Sequence, residues 1–232
     1  MKLSIIISTF NEENNDFYKR TIHQLRDIKE IELIIVDKNS SDQTCQMASQ
    51  LNHRVIKSKS NARGKRLDEG FRLAKGEMIL FHHPRSYIDL SAINTLISGK
   101  NLTWGGLTHI FDHGSHFLNF TSWYSNKVRA DIREIFYLDH CIYVRRKLLE
   151  KIDGFPHSEI FEDTEVSLKL RQIAPSKRLL HKSTTSSIRF KKNGSLRQGV
   201  LNQIMKLCYH LKVDKEKMNK IYEMGLSLNS KY

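Results

Sequence analysis

Residues 1–37 read MKLSIIISTFNEENNDFYKRTIHQLRDIKEIELIIVD, and the order of their apolar and polar positions decides the fold. The run KLSIIIS is unbroken and rich in β-branched residues, as a strand covered on both faces requires. After a polar stretch, NNDFYKRTIHQLRDI spaces Phe17, Ile22 and Leu25 onto one face of a helix. IELIIVD is a second continuous apolar run. Strand, helix and strand in this succession predict parallel neighbours joined by a crossover.

The pattern repeats downstream. QTCQMASQL (43–51) predicts a second helix and HRVIKS (53–58) a third strand. GKRLDEGFRLAKG (64–76) predicts a third helix, with Leu67, Phe71 and Ala74 on one stripe and Gly76 as its C-cap. EMILFHH (77–83) supplies a fourth strand. The expected fold class is α/β, a Rossmann-like, mostly parallel central sheet flanked by helices. Such sheets bind ligands beyond the carboxyl ends of their strands, which directs attention to residues 11–13, 37–42 and 82–89. Neither a glycine-rich dinucleotide fingerprint nor a P-loop follows a strand, which argues against ordinary dinucleotide or ATP sites.

Past residue 100, TWGGLTHIF (103–111) and DHCIYVRR (139–146) read as strands, FLNFTSWYSNKVRADI (117–132) and EDTEVSLKLRQI (162–173) as helices. Two more helices are expected over 195–211 and 215–228. In the first, Val200, Ile204, Leu207 and Leu211 form an apolar stripe near Arg197, Lys206 and Lys212. That stripe suits packing onto the preceding domain, the favoured reading, or contact with anionic lipid. No linker interrupts the chain, so the expected division is one domain over 1–194 and a packed C-terminal helical extension over 195–232.

The 232 residues are 39% hydrophobic, with a mean hydropathy of −0.48. No apolar run approaches the roughly 18 residues of a membrane span. The N-terminal apolar stretch is short and meets NEENND without a cleavage site, so it reads as a strand and the expected location is cytoplasmic. Cys45, Cys141 and Cys208 form neither a CxxC pair nor a disulfide framework. A net charge of +13 favours polyanionic partners, yet no nucleic-acid-binding module is present and none is expected to bind.

Five segments in order, SIIISTFNEE, ELIIVDKNSSDQT, NARGKRLDEGFRLAKGEMILFHH, LDHCIYVRRKLLEKIDGFP and FEDTEVSLKLR, resemble glycosyltransferase family 2 and its GT-A fold. LDHCIYVRR, TTSSIRFKKNG and the helical tail resemble its small bacterial branch, the transferase 2, selenodomain-associated group. The resemblance implies inverting transfer of a sugar from a UDP- or GDP-type donor to an acceptor hydroxyl, which a lipid would carry if the basic tail lies peripherally at the inner membrane face. The alternative is a catalytically inactive relative that binds a nucleotide or a partner.

The family carries roles onto matching positions. Phe10, Asn11 and Glu13 would border the nucleotide, and Asp37 and Asp42 would meet its base and ribose. Independently, a carboxylate ending a second parallel strand is well placed to accept from a ribose. Asp42 equally suits a helix N-cap. Arg63 would fork onto phosphate oxygens. Asp163, with Glu162 beside it, would be the general base that takes the acceptor's proton, although an acidic first turn also suits a helix dipole. Asp139, His140 and Arg189 would lie on the acceptor side. The middle, 104–136, with Trp104, Trp123, Tyr124 and Phe136, would build the acceptor pocket or a core helix.

The family's acidic metal motif is replaced here by His83-Pro84-Arg85. Arginine offers a cation no lone pair and repels it. No cofactor is therefore expected, and Mg²⁺ or Mn²⁺ would bind only through a degenerate site of His83 and Asp89, the latter also suited to capping a helix near Leu90. Arg85, with Arg63 and Arg189, is the expected replacement for the cation. His181 reads as an ordinary strand histidine.

Overall fold

The computed structural model describes residues 1–224. Strand and helix alternate through β1 (Leu3–Thr9), α1 (Asp16–Leu25), β2 (Ile31–Asp37), α2 (Thr44–Gln50), β3 (Arg54–Lys57), α3 (Arg63–Leu73) and β4 (Met78–His82). There follow β5 (Ser86–Ile88), α4 (Leu90–Ser98), β6 (Trp104–Phe111), α5 (His116–Trp123) and a π-helical segment, Tyr124–Ile132. Next come β7 (Ile142–Arg145), α6 (Arg146–Lys151), α7 (Glu162–Leu170) and β8 (Lys177–Thr185). Three helices follow: α8 (Ile188–Asn193), α9 (Ser195–His210) and α10 (Lys215–Met224).

One sheet runs in the order β3-β2-β1-β4-β7-β6-β8-β5. The first four strands are parallel, β7 is antiparallel to both β4 and β6, β8 is parallel to β6, and β5 is antiparallel to β8. Register brings Thr9 opposite Asp37 and Ile7 opposite His82, so the carboxyl ends of β1, β2 and β4 open at one edge.

Alternation along the strands feeds two apolar layers. Leu3, Ile5, Ile7 and Leu80 pack with Ile22 and Leu25 of α1, while Ile6, Val36, Ile79 and Phe81 pack with Leu67 and Phe71 of α3. Burial of this kind is the dominant stabilising term, at roughly 25 cal/mol per Å² of apolar surface.

Several local expectations change. In α1 the buried face is Tyr18, Thr21, Ile22 and Leu25, with Phe17 only half-buried. Gly76 is not a C-cap: α3 stops at Leu73, with Ala74 extended after it. Gly76 instead lets the chain pass β1, where a Cβ would stand 2.5 Å from the Ser4 nitrogen. The helix expected over 117–132 divides into α5 and the π-helical segment. Strand β5 was not foreseen.

The tail differs most. Val200, Ile204, Leu207 and Leu211 are exposed; Leu201 and Met205 are buried instead, with Met218 of α10, against Ile160 and Phe161. The stripe expected to pack on the domain is therefore the outward face. The expected helix 215–228 is seen through Met224, and its last positions lie outside the described residues. Among the described residues no helix is long and apolar enough to cross a membrane.

Candidate functional site

The loops after β1 and β2 are tied together by side chains. Asp37, fully buried, accepts from Thr9 Oγ1 at 2.8 Å, from the Ser40 amide at 2.6 Å and from Ser40 Oγ at 2.5 Å. Asn11 takes a left-handed backbone (φ 53°), donates its amide to Ser40 Oγ and accepts from the Ser41 amide at Oδ1. Asp42 accepts from the Thr44 amide and hydroxyl and from the Glu13 amide, so it fastens both loops as well as the start of α2. Its carboxyl is held below the usual range, because these hydrogen bonds outweigh the opposing effect of burial. Glu13 accepts from the Gln43 amide. Phe10 is exposed, with the Lys38 ammonium 5.0 Å from its ring centre.

Beyond β4 the chain brings in cations. Glu12, nearly buried, accepts from Asn15 Nδ2 at 2.9 Å and from Arg85 Nε at 3.4 Å. Burial raises the Glu12 pKa, against the pull of Arg85, Asn15 and Arg189. Burial likewise pushes the His83 imidazole down to about 3; Asp139 opposes this, while Arg63, Arg85 and Arg189 reinforce it. His83 Nδ1 lies 3.9 Å from Asp139 Oδ1. Arg189 donates to the Tyr222 hydroxyl at 2.6 Å, which draws α10 to this end of the cleft.

This donor set does not fit a hard divalent cation. Asp89 caps α4, accepting from the Ala92 amide at 2.8 Å. His82 points into the apolar layer, fully buried, with neither ring nitrogen at hydrogen-bonding geometry to a partner. That leaves His83 among three guanidinium groups, and among the described residues no three His, Cys, Asp or Glu side chains converge as a ligand set.

The acidic pair opens α7. Phe161, left-handed at φ 59°, turns the chain so that Glu162 and Asp163 start the helix facing α3. Arg63 Nε donates to Glu162 Oε1, and its guanidinium lies 4.0 Å from Asp163 Oδ2. Asp163 also accepts from the Leu138 amide at 3.2 Å and the Thr164 amide at 2.7 Å. Even so, burial and the neighbouring Glu162 raise its pKa well above the ordinary carboxylate range, with Arg63 and the two amides only partly offsetting them. The close approach of α3 to this loop needs Gly64, where a Cβ would stand 2.0 Å from the Pro156 carbonyl oxygen.

The cleft thus gathers Arg63, Glu162, Asp163, Asp139, His83, Arg85 and Arg189, with Asn11, Glu13, Asp37 and Asp42 at the carboxyl ends of β1 and β2. His140 is not among them. It is fully buried, Nδ1 at 2.9 Å from the Leu107 carbonyl oxygen and Nε2 at 2.9 Å from Ser125 Oγ. His181 sits on β8 between Ser91 and Thr95 hydroxyls, apart from the cleft.

Three further residues had no role assigned from the sequence. Glu12, rather than Glu13, faces Arg85. Arg66, buried, donates to Ser8 Oγ and to the Ser60 and Asn61 carbonyls, fixing the loop before α3 to the end of β1. Asp68 accepts from the Phe155 amide and lies 2.9 Å from His157 Nε2, latching the loop that leads to Glu162. An arginine and an aspartate on the apolar side of α3 were the available signal for the last two.

Residues 4–84, the parallel half of the sheet, match the family model described as Glycosyl transferase family 2. Among solved structures the chain is similar to S. aureus TarS in complex with UDP-GlcNAc, at 23% identity over 81% of this chain and 56% of that one, with a TM-score of 0.58. It is also similar to the mannosyltransferase PcManGT from Pyrobaculum calidifontis in complex with GDP-Man and Mn²⁺, at 16% identity over 88% and 64%, with a TM-score of 0.60. A third is M. tuberculosis glucosyl-3-phosphoglycerate synthase, at 13% identity over 80% and 70%, with a TM-score of 0.52. No curated protein sequence matches the chain. The chain spans just over half of the TarS structure. These likenesses establish the GT-A fold, an eight-stranded sheet flanked by helices.

Proposed function

We propose that this chain is an inverting glycosyltransferase acting on a nucleoside-diphosphate sugar without a divalent metal. The observation that carries the reading is the pair of buried carboxyls, Glu162 and Asp163, held by the half-exposed Arg63 at the head of α7. A carboxylate with a raised pKa is suited to take a proton near neutrality. Asp163 accepts the proton of the acceptor hydroxyl as that oxygen bonds to the anomeric carbon. The bond from that carbon to the diphosphate oxygen breaks on the opposite face, and the leaving diphosphate carries away the electron pair. Arg85 and Arg189 meet the developing negative charge, the service a metal performs elsewhere. Asn11, Glu13, Asp37 and Asp42 shape the nucleotide end, Phe10 stands at its rim, Arg63 holds the acidic pair, and Asp139 lines the acceptor side.

The family-2 match, together with LDHCIYVRR and TTSSIRFKKNG, supports placement in the bacterial selenodomain-associated branch. We divide the chain into a catalytic domain, 1–194, and a helical extension, 195–232, and place it in the cytoplasm. The UDP-GlcNAc complex of TarS and the GDP-Man complex of PcManGT support a UDP or GDP donor. The Glu12–Arg85 contact also suits a second reading, in which a partly neutralised cation leaves nucleotide binding without turnover.

Thermal unfolding with UDP and GDP, each in chelator and in Mn²⁺, tests the proposal. A nucleotide at 100 times its Kd stabilises by about 2.7 kcal/mol, a rise of a few degrees. A shift that persists in chelator, followed by sugar release from the matching donor, is the expected result. A shift confined to Mn²⁺ overturns the metal-free mechanism, and binding without turnover selects the second reading.

A further inference from the structure

α5 and α9 meet at one point and both carry exposed apolar side chains. Gly199 of α9 lies against the Phe117 ring, where a Cβ would stand 2.8 Å from it, so the two helices touch at this point. Further along, Lys206 lies within electrostatic reach of Arg129 and Arg133 at the end of the π-helical segment. Phe120 and Trp123 of α5, stacked at 5.7 Å, are 61% and 53% exposed, and Val200, Ile204, Leu207 and Leu211 of α9 are exposed as well. Six of this chain's exposed large apolar side chains thus fall on these two helices.

The stretches of chain that carry these helices are rich in cations. No Asp or Glu occurs between Glu165 and Asp214, or between Asp112 and Asp131. Lys191, Arg197, Lys206 and Lys212 fall inside the first of these stretches; Lys127, inside the second, pairs with Asp131 at 3.5 Å. A soluble acidic protein would match the charge, but an aromatic pair and a row of aliphatic side chains, with cations near them in the chain, match an interface with apolar depth and anionic headgroups.

We propose that α5 and α9 together form a docking face for an anionic phospholipid bilayer, with Phe120, Trp123 and the α9 stripe entering the headgroup region and the flanking lysines and arginines meeting lipid phosphates. The face is built by two elements far apart in sequence, and it needs the folded protein. It stands apart from the transfer reaction, so a failure of catalysis leaves it untouched.

The test uses the full chain and vesicles of phosphatidylcholine, alone or mixed with phosphatidylglycerol. Co-sedimentation with the mixed vesicles, reduced by salt, is expected. Trp123 emission shifts to the blue on binding, while Trp104, fully buried and donating to the Ala174 carbonyl, stays silent. Phe120→Ser combined with Leu207→Ser, both on the surface, weakens vesicle binding about tenfold or more. The same variant keeps its melting temperature and its nucleotide-induced shift. Absence of sedimentation at low salt, equal binding to both vesicle types, or undiminished binding by the variant overturns the proposal. So does a dimer that the variant converts to monomer, which would assign the face to a second copy of the chain.

Discussion

Arg63, in the first turn of α3, hydrogen-bonds Glu162 and stands 4.0 Å from Asp163 Oδ2, so one guanidinium serves two neighbouring carboxyls at the start of α7. Two adjacent acids in a buried position would otherwise repel each other. The cation between them lets one stay ionised while the other titrates. The loop that presents them is braced by Gly64, Asp68 and the Phe161 turn, elements with no part in chemistry.

In the proposed reaction this relationship should set the pH profile. Arg63 lowers the Asp163 pKa and burial raises it. A base must be deprotonated to act, so kcat/KM should fall as pH drops through that raised value. Arg63→Gln removes the lowering cation and should move the acid limb to higher pH. Asp163→Asn should cut kcat roughly 10²–10⁴-fold with no titrating limb. A profile unchanged in Arg63→Gln would remove the clamp from the mechanism.

Glu12 and Arg85 predict opposite effects on nucleotide binding. Their side chains are 7% and 17% exposed and 3.4 Å apart. Arg85→Gln should shrink the thermal shift given by UDP or GDP, and Glu12→Gln, by releasing positive potential, should enlarge it. Each single substitution should cost roughly 3 kcal/mol in denaturant unfolding, because it leaves a buried charge with less compensation, and the double variant should recover part of it.

Buried histidines make the fold acid-sensitive. Burial pushes His82 down to about 4 and His140 to about 3, from an ordinary value of 6.5. Below pH 6.5 the unfolded chain takes up protons that the folded chain refuses. Stability is therefore intact above that pH and is lost as pH falls towards the folded values. Between pH 7 and pH 5 each histidine should cost up to about 2 kcal/mol. His82→Leu should flatten this dependence and raise stability at pH 5, as measured by urea unfolding.

The parallel half of this fold was plain in the sequence because strands buried on both faces announce themselves as continuous apolar runs. Asp37 could be placed at the end of β2 for the same reason. Glu12 could not be chosen over Glu13, since the left-handed turn at Asn11 decides which neighbour points inward. The stripe of α9 was read correctly as a stripe and assigned the wrong partner. A period of 3.6 reports that a face is apolar, not what covers it, and Leu201 and Met205 supply a second apolar face that docks. His140 followed Asp139 in the motif, but adjacent residues here point apart, one into the cleft and one into the core.

Asp68 carries the last prediction. Its carboxylate, almost buried in α3, accepts from the Phe155 amide at 2.9 Å and from Arg72 Nε at 3.2 Å, and lies 2.9 Å from His157 Nε2. These contacts hold the 154–157 loop, whose continuation delivers Glu162 and Asp163. An alanine there would leave a buried amide without an acceptor, at a cost of about 1–3 kcal/mol. Asp68→Ala should therefore lower the melting temperature and, by loosening the acidic pair, reduce kcat more than it raises KM. Asp68→Asn keeps an oxygen for the Phe155 amide and should restore most of both. If Asp68→Ala lost stability while kcat stayed unchanged, the loop would support the fold without positioning the base.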